Sequence, residues 1–119
     1  TGNSGDFFIS LHCNSNLKPD SNSGIETYYY RNGESSRLLA QAVQNAASAA
    51  SRMGSRGIHD CGFKVLRLLQ NTGIPGVLVE CGYLNHSRDR AKLITEDHRK
   101  KLAEGIVSGL RAYIEGTRP

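Results

Sequence analysis

Pro75-Gly76-Val77-Leu78-Val79-Glu80-Cys81-Gly82-Tyr83-Leu84-Asn85 is the stretch that decides how this chain folds. Val77 to Val79 is a short apolar run rich in β-branched residues, bounded by Pro75-Gly76 and by Gly82. Such a run predicts a buried central strand. A carboxylate, Glu80, arrives before any polar turn does. Holding a charge in or beside a dry core is expensive unless a partner or a chemical task goes with it. The ordinary explanation is an ion pair to one of the arginines. A second strand points elsewhere.

That strand lies in Asp6-Phe7-Phe8-Ile9-Ser10-Leu11-His12-Cys13-Asn14-Ser15-Asn16. Phe7, Phe8, Ile9 and Leu11 put apolar groups on both alternating faces, which predicts a strand covered on both sides, as in a parallel sheet. His12 ends it, and a polar loop follows. Two core strands thus each end in a residue able to bind a metal or move a proton. If they run parallel, His12 and Glu80 emerge at the same carboxyl edge, where open α/β sheets place their sites.

Four segments follow one another in order: Phe8 to Asn14, Gly24-Ile25-Glu26-Thr27-Tyr28-Tyr29, Phe63-Lys64-Val65-Leu66-Arg67, and Pro75 to Leu84. Together they resemble the zinc-dependent N-acetylmuramoyl-L-alanine amidases, over most of the chain from about Asp6 to Leu93. In that family a Ser-x-His-x-Asn segment supplies a zinc-binding histidine, which the resemblance maps onto His12. A Val-x-Val-Glu-x-Gly segment supplies the catalytic glutamate, which maps onto Glu80. Asn14 and Arg67, within the matching segments, are the substrate-binding candidates. The resemblance implies Zn2+ as cofactor, peptidoglycan as substrate and an extracytoplasmic setting in bacteria. The bond cleaved would join N-acetylmuramic acid to the L-alanine of the stem peptide.

The family's two further zinc ligands, a His in a Gly-His-Gly-Gly-like turn and a Glu on the next helix, have no counterpart in these 119 residues. The expectation is therefore the C-terminal portion of one catalytic domain, without its first strands. The competing expectation is a non-catalytic wall-binding or regulatory piece. Neither Ser10 nor Cys13 sits in a Gly-x-Ser-x-Gly elbow, so a serine-type nucleophile fits less well.

Apolar content of 38% with 13 glycines indicates a loop-rich globular α/β protein. No run of apolar residues is long enough to span a bilayer. Three cysteines make no closed disulfide framework, and Cys13 and Cys81 read as packing residues. The net charge is +4, with basic clusters at Arg88, Arg90, Lys92 and at Arg99-Lys100-Lys101. These favour polyanions in general. No aromatic platforms are interleaved with them, so nucleic acid is set aside in favour of solvated helix faces.

The remaining elements follow from periodicity. Ile25 to Tyr30 predicts a strand before an Asn32-Gly33 turn. Glu34 to Met53 carries an apolar stripe from Leu38 to Met53 and predicts a helix stopped by Gly54. Gly57 to Gly62, with His59 as a weaker substrate-side candidate, reads as a loop, and Phe63 to Arg67 as a strand. Arg67 is placed either on a substrate carboxylate or against Glu26 or Glu80. Ser87 caps a short helix to Ile94, and a last helix near 96–115 is capped by Thr95 or Asp97. Gly105 and Gly109, four apart in that helix, mark a face pressed against neighbouring backbone. The expected fold class is α/β, a mostly parallel or mixed sheet flanked by helices.

Overall fold

The computed structural model describes residues 6–31, 33–69 and 71–117. In chain order the elements are β1 (Phe8–Asn14), β2 (Ile25–Tyr30), α1 (Glu34–Ser51), β3 (Ser55–Cys61), α2 (Lys64–Arg67), β4 (Gly76–Tyr83), α3 (Ser87–Leu93) and α4 (Glu96–Thr117). The four strands form one sheet in the order β1-β4-β2-β3. β1 and β4 are parallel, β2 and β3 are parallel, and β2 runs antiparallel to β4. The sheet is mixed, within the expected class.

The apolar run of β4 lies at its centre, with every residue buried except the half-buried Glu80. Val77 and Val79 point with Ile25 into the core built by α1 and α4, against Leu39, Val43, Ala47, Leu102 and Ile106. A buried polar net fastens α1 to the sheet: Thr27 Oγ1 donates to Gln44 Oε1 at 2.8 Å, and Gln44 Nε2 donates to Ile25 O and Ser55 Oγ. The opposite sheet face is half open. β1 is less covered than expected, with Leu11 56% exposed, because among the described residues it has a strand on one side only.

Three expectations are corrected. Residues 63–67 are not a strand: Lys64–Arg67 is the short helix α2, and the place beside β2 is taken by Ser55–Cys61, expected as a loop. That strand carries Arg56, His59 and Asp60, the charged composition of an edge strand, which hides any apolar alternation. Helix α1 stops at Ser51, with Arg52 in the left-handed region at φ 60°, two residues before Gly54. The cap of α3 is His86, whose Nδ1 accepts from Arg88 N and Asp89 N, and Ser87 is its first residue. At the start of α4, Thr95 Oγ1 accepts from His98 N. The turn expected at Asn32-Gly33 includes Asn32, outside the described residues.

The paired glycines of α4 do press on α1. A Cβ at Gly109 would lie 2.7 Å from Ala42 O and from Val43 Cα, and one at Gly105 would lie 2.9 Å from Ala46 O. Those neighbours are backbone and cannot rotate away. Gly109→Ala is therefore expected to cost about 1–3 kcal/mol of overpacking, more than the helix propensity it gains. Gly116→Ala, with open space around it, should be neutral or stabilising. Urea denaturation of the two variants checks this, and equal stability in both would remove the close approach.

Candidate active site

Register brings the candidate side chains into one row. β1 and β4 run parallel, so His12 and Glu80 are direct Cα partners at the carboxyl ends of their strands. β2 runs the other way and puts Glu26, near its beginning, directly opposite Glu80 on the other side. Partners in register point to one face. The row therefore reads His12, Glu80, Glu26 across three strands, on the half-open side of the sheet.

Two irregularities complete it. Between the pairs His12↔Glu80 and Asn14↔Tyr83, β4 holds one residue more than β1. Such a bulge re-aims the side chain beyond it, and here it turns Tyr83 onto the site face. Gly82 makes this possible: its φ is 147°, and a Cβ there would sit 2.8 Å from Met53 Cε and 3.1 Å from Leu93 Cδ1. A second bulge lies between Ile25↔Ser55 and Thr27↔Ile58, where β3 is the longer strand and Gly57 has φ 80°. It places Arg56 beside Glu26.

The two carboxylates have opposite surroundings. Glu26 is only 4% exposed and richly partnered. Its Oε1 accepts from Tyr83 Oη at 2.9 Å and Asn14 Nδ2 at 3.2 Å; its Oε2 lies 3.4 Å from His59 Nε2 and 3.6 Å from Arg56 Nε. The phenols around it remain donors. Burial, then Glu26, pushes Tyr28 up to about 12, and burial followed by the bond to Glu26 raises Tyr83. Glu80, by contrast, has a buried Oε1 with no hydrogen-bond partner, and among the described residues no lysine or arginine forms an ion pair with it. Burial raises its pKa, Glu26 adds to this, and His12 opposes it.

His12 is exposed, with Ser10 Oγ 2.9 Å from its Nε2, a contact that orients the ring. Asn14 reaches the row, though through Glu26 and not through a free face. His59 reaches it through the same carboxylate. Arg67 does not: it is exposed on α2 and pairs with neither glutamate among the described residues, and Arg56 stands where it was expected. Glu26, Arg56 and Tyr83 had no site role in the sequence. Alternation, which puts Glu26 and Tyr28 on one face of β2, is a signal for Glu26 alone; Arg56 and Tyr83 depend on the bulges.

Cys13 is exposed, Cys61 half-buried and Cys81 buried, all as free thiols. The loop after β1 is tied down beside the site. Asn85 Nδ2 donates to Asn16 O, Asp20 N donates to Asn85 O, and Asp20 Oδ1 accepts from Ser87 N. Among the described residues, no group of three His, Cys, Asp or Glu is placed to hold a metal ion, and no helix is long and apolar enough to cross a membrane.

A sequence model of the N-acetylmuramoyl-L-alanine amidase family matches residues 1–112. The chain is 35% identical to the uncharacterized protein YqiI of Bacillus subtilis, over 97% of this chain and 54% of that protein. It is 33% identical to the probable cell wall amidase LytH of Staphylococcus epidermidis, over 92% of this chain and 35% of that protein. The crystal structure of an N-acetylmuramoyl-L-alanine amidase from Clostridium difficile 630 superposes with a TM-score of 0.86 at 34% identity, covering 95% of this chain and 60% of that one. The chain thus spans about half or less of the curated relatives it matches.

Proposed function

The chain belongs to the N-acetylmuramoyl-L-alanine amidase family, and from that premise we propose that it carries the catalytic glutamate and one zinc-binding histidine of a peptidoglycan amidase. The bond cleaved is the amide between the lactyl group of N-acetylmuramic acid and the first alanine of the stem peptide. Peptidoglycan places the enzyme outside the cytoplasm. The observation that carries this reading is Glu80. It is a half-buried carboxylate with an orphaned oxygen, in register with His12 on an open sheet face.

The donor set fits zinc in part. His12 supplies one nitrogen, already oriented by Ser10, while a zinc site needs three or four protein donors. Among the described residues no second and third donor are placed beside it. Bound zinc supplies Lewis acidity, bringing the pKa of water to about 7 and polarising the scissile carbonyl. Glu80 takes the proton from the attacking water at its free oxygen and hands it to the leaving nitrogen. In the metal-free chain burial holds the Glu80 carboxyl above its ordinary pKa, the direction that favours the donor half of such a transfer.

Digestion of purified peptidoglycan by the complete catalytic domain tests the reading. New amino-terminal alanine without new reducing sugar ends is the expected product pattern, lost on chelation and restored by zinc. His12→Ala should lower zinc content after dialysis from about one per chain to well below it. Reducing ends in place of amino termini would identify a glycosidase instead. Wall binding without any cleavage would favour the non-catalytic alternative.

A further inference from the structure

Resting on the amidase reading, we propose that Arg56 is the residue that binds a carboxylate of the substrate's peptide, held in place for that purpose by Glu26 and Tyr83. The side chain is presented by a bulge beside the site, a device that aims a residue out of the regular pleat. Two contacts hold it: its Nε faces Glu26 Oε2 at 3.6 Å, and its guanidinium lies 5.4 Å from the centroid of the Tyr83 ring. His59 Nε2, 2.9 Å from the Arg56 backbone carbonyl oxygen, steadies the bulge itself. His59 is itself steadied by Tyr28, at 5.4 Å between ring centroids.

Glu26 explains little as a stabilising ion pair alone. Burying a carboxylate costs several kcal/mol that a pair at best recovers. Its Oε1 is already satisfied by Tyr83 and Asn14, and its Oε2 turns toward β3, where the arginine side chain is still 36% exposed. A guanidinium engaged at Nε retains its Nη groups, in fixed fork geometry, for a second carboxylate.

Substrate chemistry supplies the acceptor. Once the lactyl carboxyl is tied into the scissile amide, the N-acetylated glycan side of the bond carries no charge. The free carboxylates lie on the peptide. Arg56 stands two strands from Glu80, about 10 Å at the usual strand spacing, or about three residues of extended peptide. It lies on the side of Glu80 away from His12. The row therefore has a polarity: metal at His12, proton transfer at Glu80, peptide charge at Arg56.

The test uses the intact enzyme with a muropeptide whose stem carboxylates are free and the same muropeptide with them amidated. Binding of the two corresponding free stem peptides is measured alongside. Arg56→Gln should raise KM for the free-acid substrate about 10- to 100-fold, the worth of a hydrogen bond to a charged group, with kcat within a few-fold. The loss on the amidated substrate should be much smaller, and Arg56→Lys should restore part of the free-acid loss. Equal losses on both substrates, or none on the free acid, would overturn the subsite. If the wild type cleaves neither substrate yet prefers the free-acid peptide in binding, and Arg56→Gln abolishes that preference, the amidase reading falls and the subsite stands.

Discussion

Glu80→Gln, made in a catalytic domain with a complete metal site, should cut turnover by about 10²- to 10⁴-fold, the usual contribution of a general acid-base group. Zinc content should be unchanged, because His12 and the other donors remain. Stability separates this from a structural role. Burial holds the Glu80 carboxyl above its ordinary pKa, with Glu26 pushing the same way and His12 opposing. A carboxyl whose folded pKa exceeds its unfolded one favours folding fully below the unfolded value and loses that contribution as pH rises through the folded value. At neutral pH its charge therefore burdens the metal-free fold. Glutamine carries no charge at any pH and lifts that burden. The metal-free variant should melt at the same temperature as the wild type or higher, while activity collapses. Had Glu80 been one half of an ion pair, the variant would melt lower and keep activity in proportion to its folded fraction. Full activity in a well-folded Glu80→Gln enzyme would falsify the catalytic assignment.

That Glu80 could be picked out before the fold was known has a physical reason. A charge directly after Val-Leu-Val is costly enough to stand out in one dimension, and so is a histidine closing an apolar run at His12. Helices α1 and α4 were equally legible, since an apolar stripe at three- and four-residue spacing has few other interpretations. The misplaced strand was not. Phe63 to Leu68 is too short for period to decide, and β3 carries an arginine, a histidine and an aspartate with a glycine at its bulge. Glu26 and Arg56 were hidden for a different reason. Their roles depend on the antiparallel register of β2 against β4 and on two bulges, each a one-residue shift that swaps which side chains share a face. Tyr83 sits three residues after Glu80, which alternation alone would send to the opposite face.

Asp89 was the least legible residue of all, lying between Arg88 and Arg90 in what reads as a solvated basic helix. It is buried, and its carboxylate is the junction of three segments. Oδ1 accepts from Ser23 Oγ at 2.6 Å, and Oδ2 accepts from Gly24 N at 3.0 Å and Tyr83 N at 2.9 Å. One side chain thus ties α3 to the entry of β2 and to the residue just past the β4 bulge. Asp89→Ala should cost on the order of 3–5 kcal/mol, because two buried N–H groups and a hydroxyl lose their acceptor at once. For a domain of this size that is a fall of about 10–20 °C in melting temperature. The acid limb gives a second signature. Burial works to raise the Asp89 pKa, but Ser23, Tyr83, Gly24 and His86 together outweigh it and leave it below the ordinary carboxylate value. A lowered folded pKa contributes stability that is present above the unfolded value and lost as pH falls through the folded one. The wild type should therefore lose stability below about pH 4, and the variant should show less of that loss. Thermal melts across that range check both effects. Activity should fall beyond the folded fraction, because the freed bulge lets Tyr83 leave Glu26 and with it the orientation of Arg56. Asp89→Asn, which keeps one acceptor oxygen, should recover part of the stability. A variant as stable as the wild type at pH 7 would mean that the bulge holds its own shape and that Asp89 only decorates it.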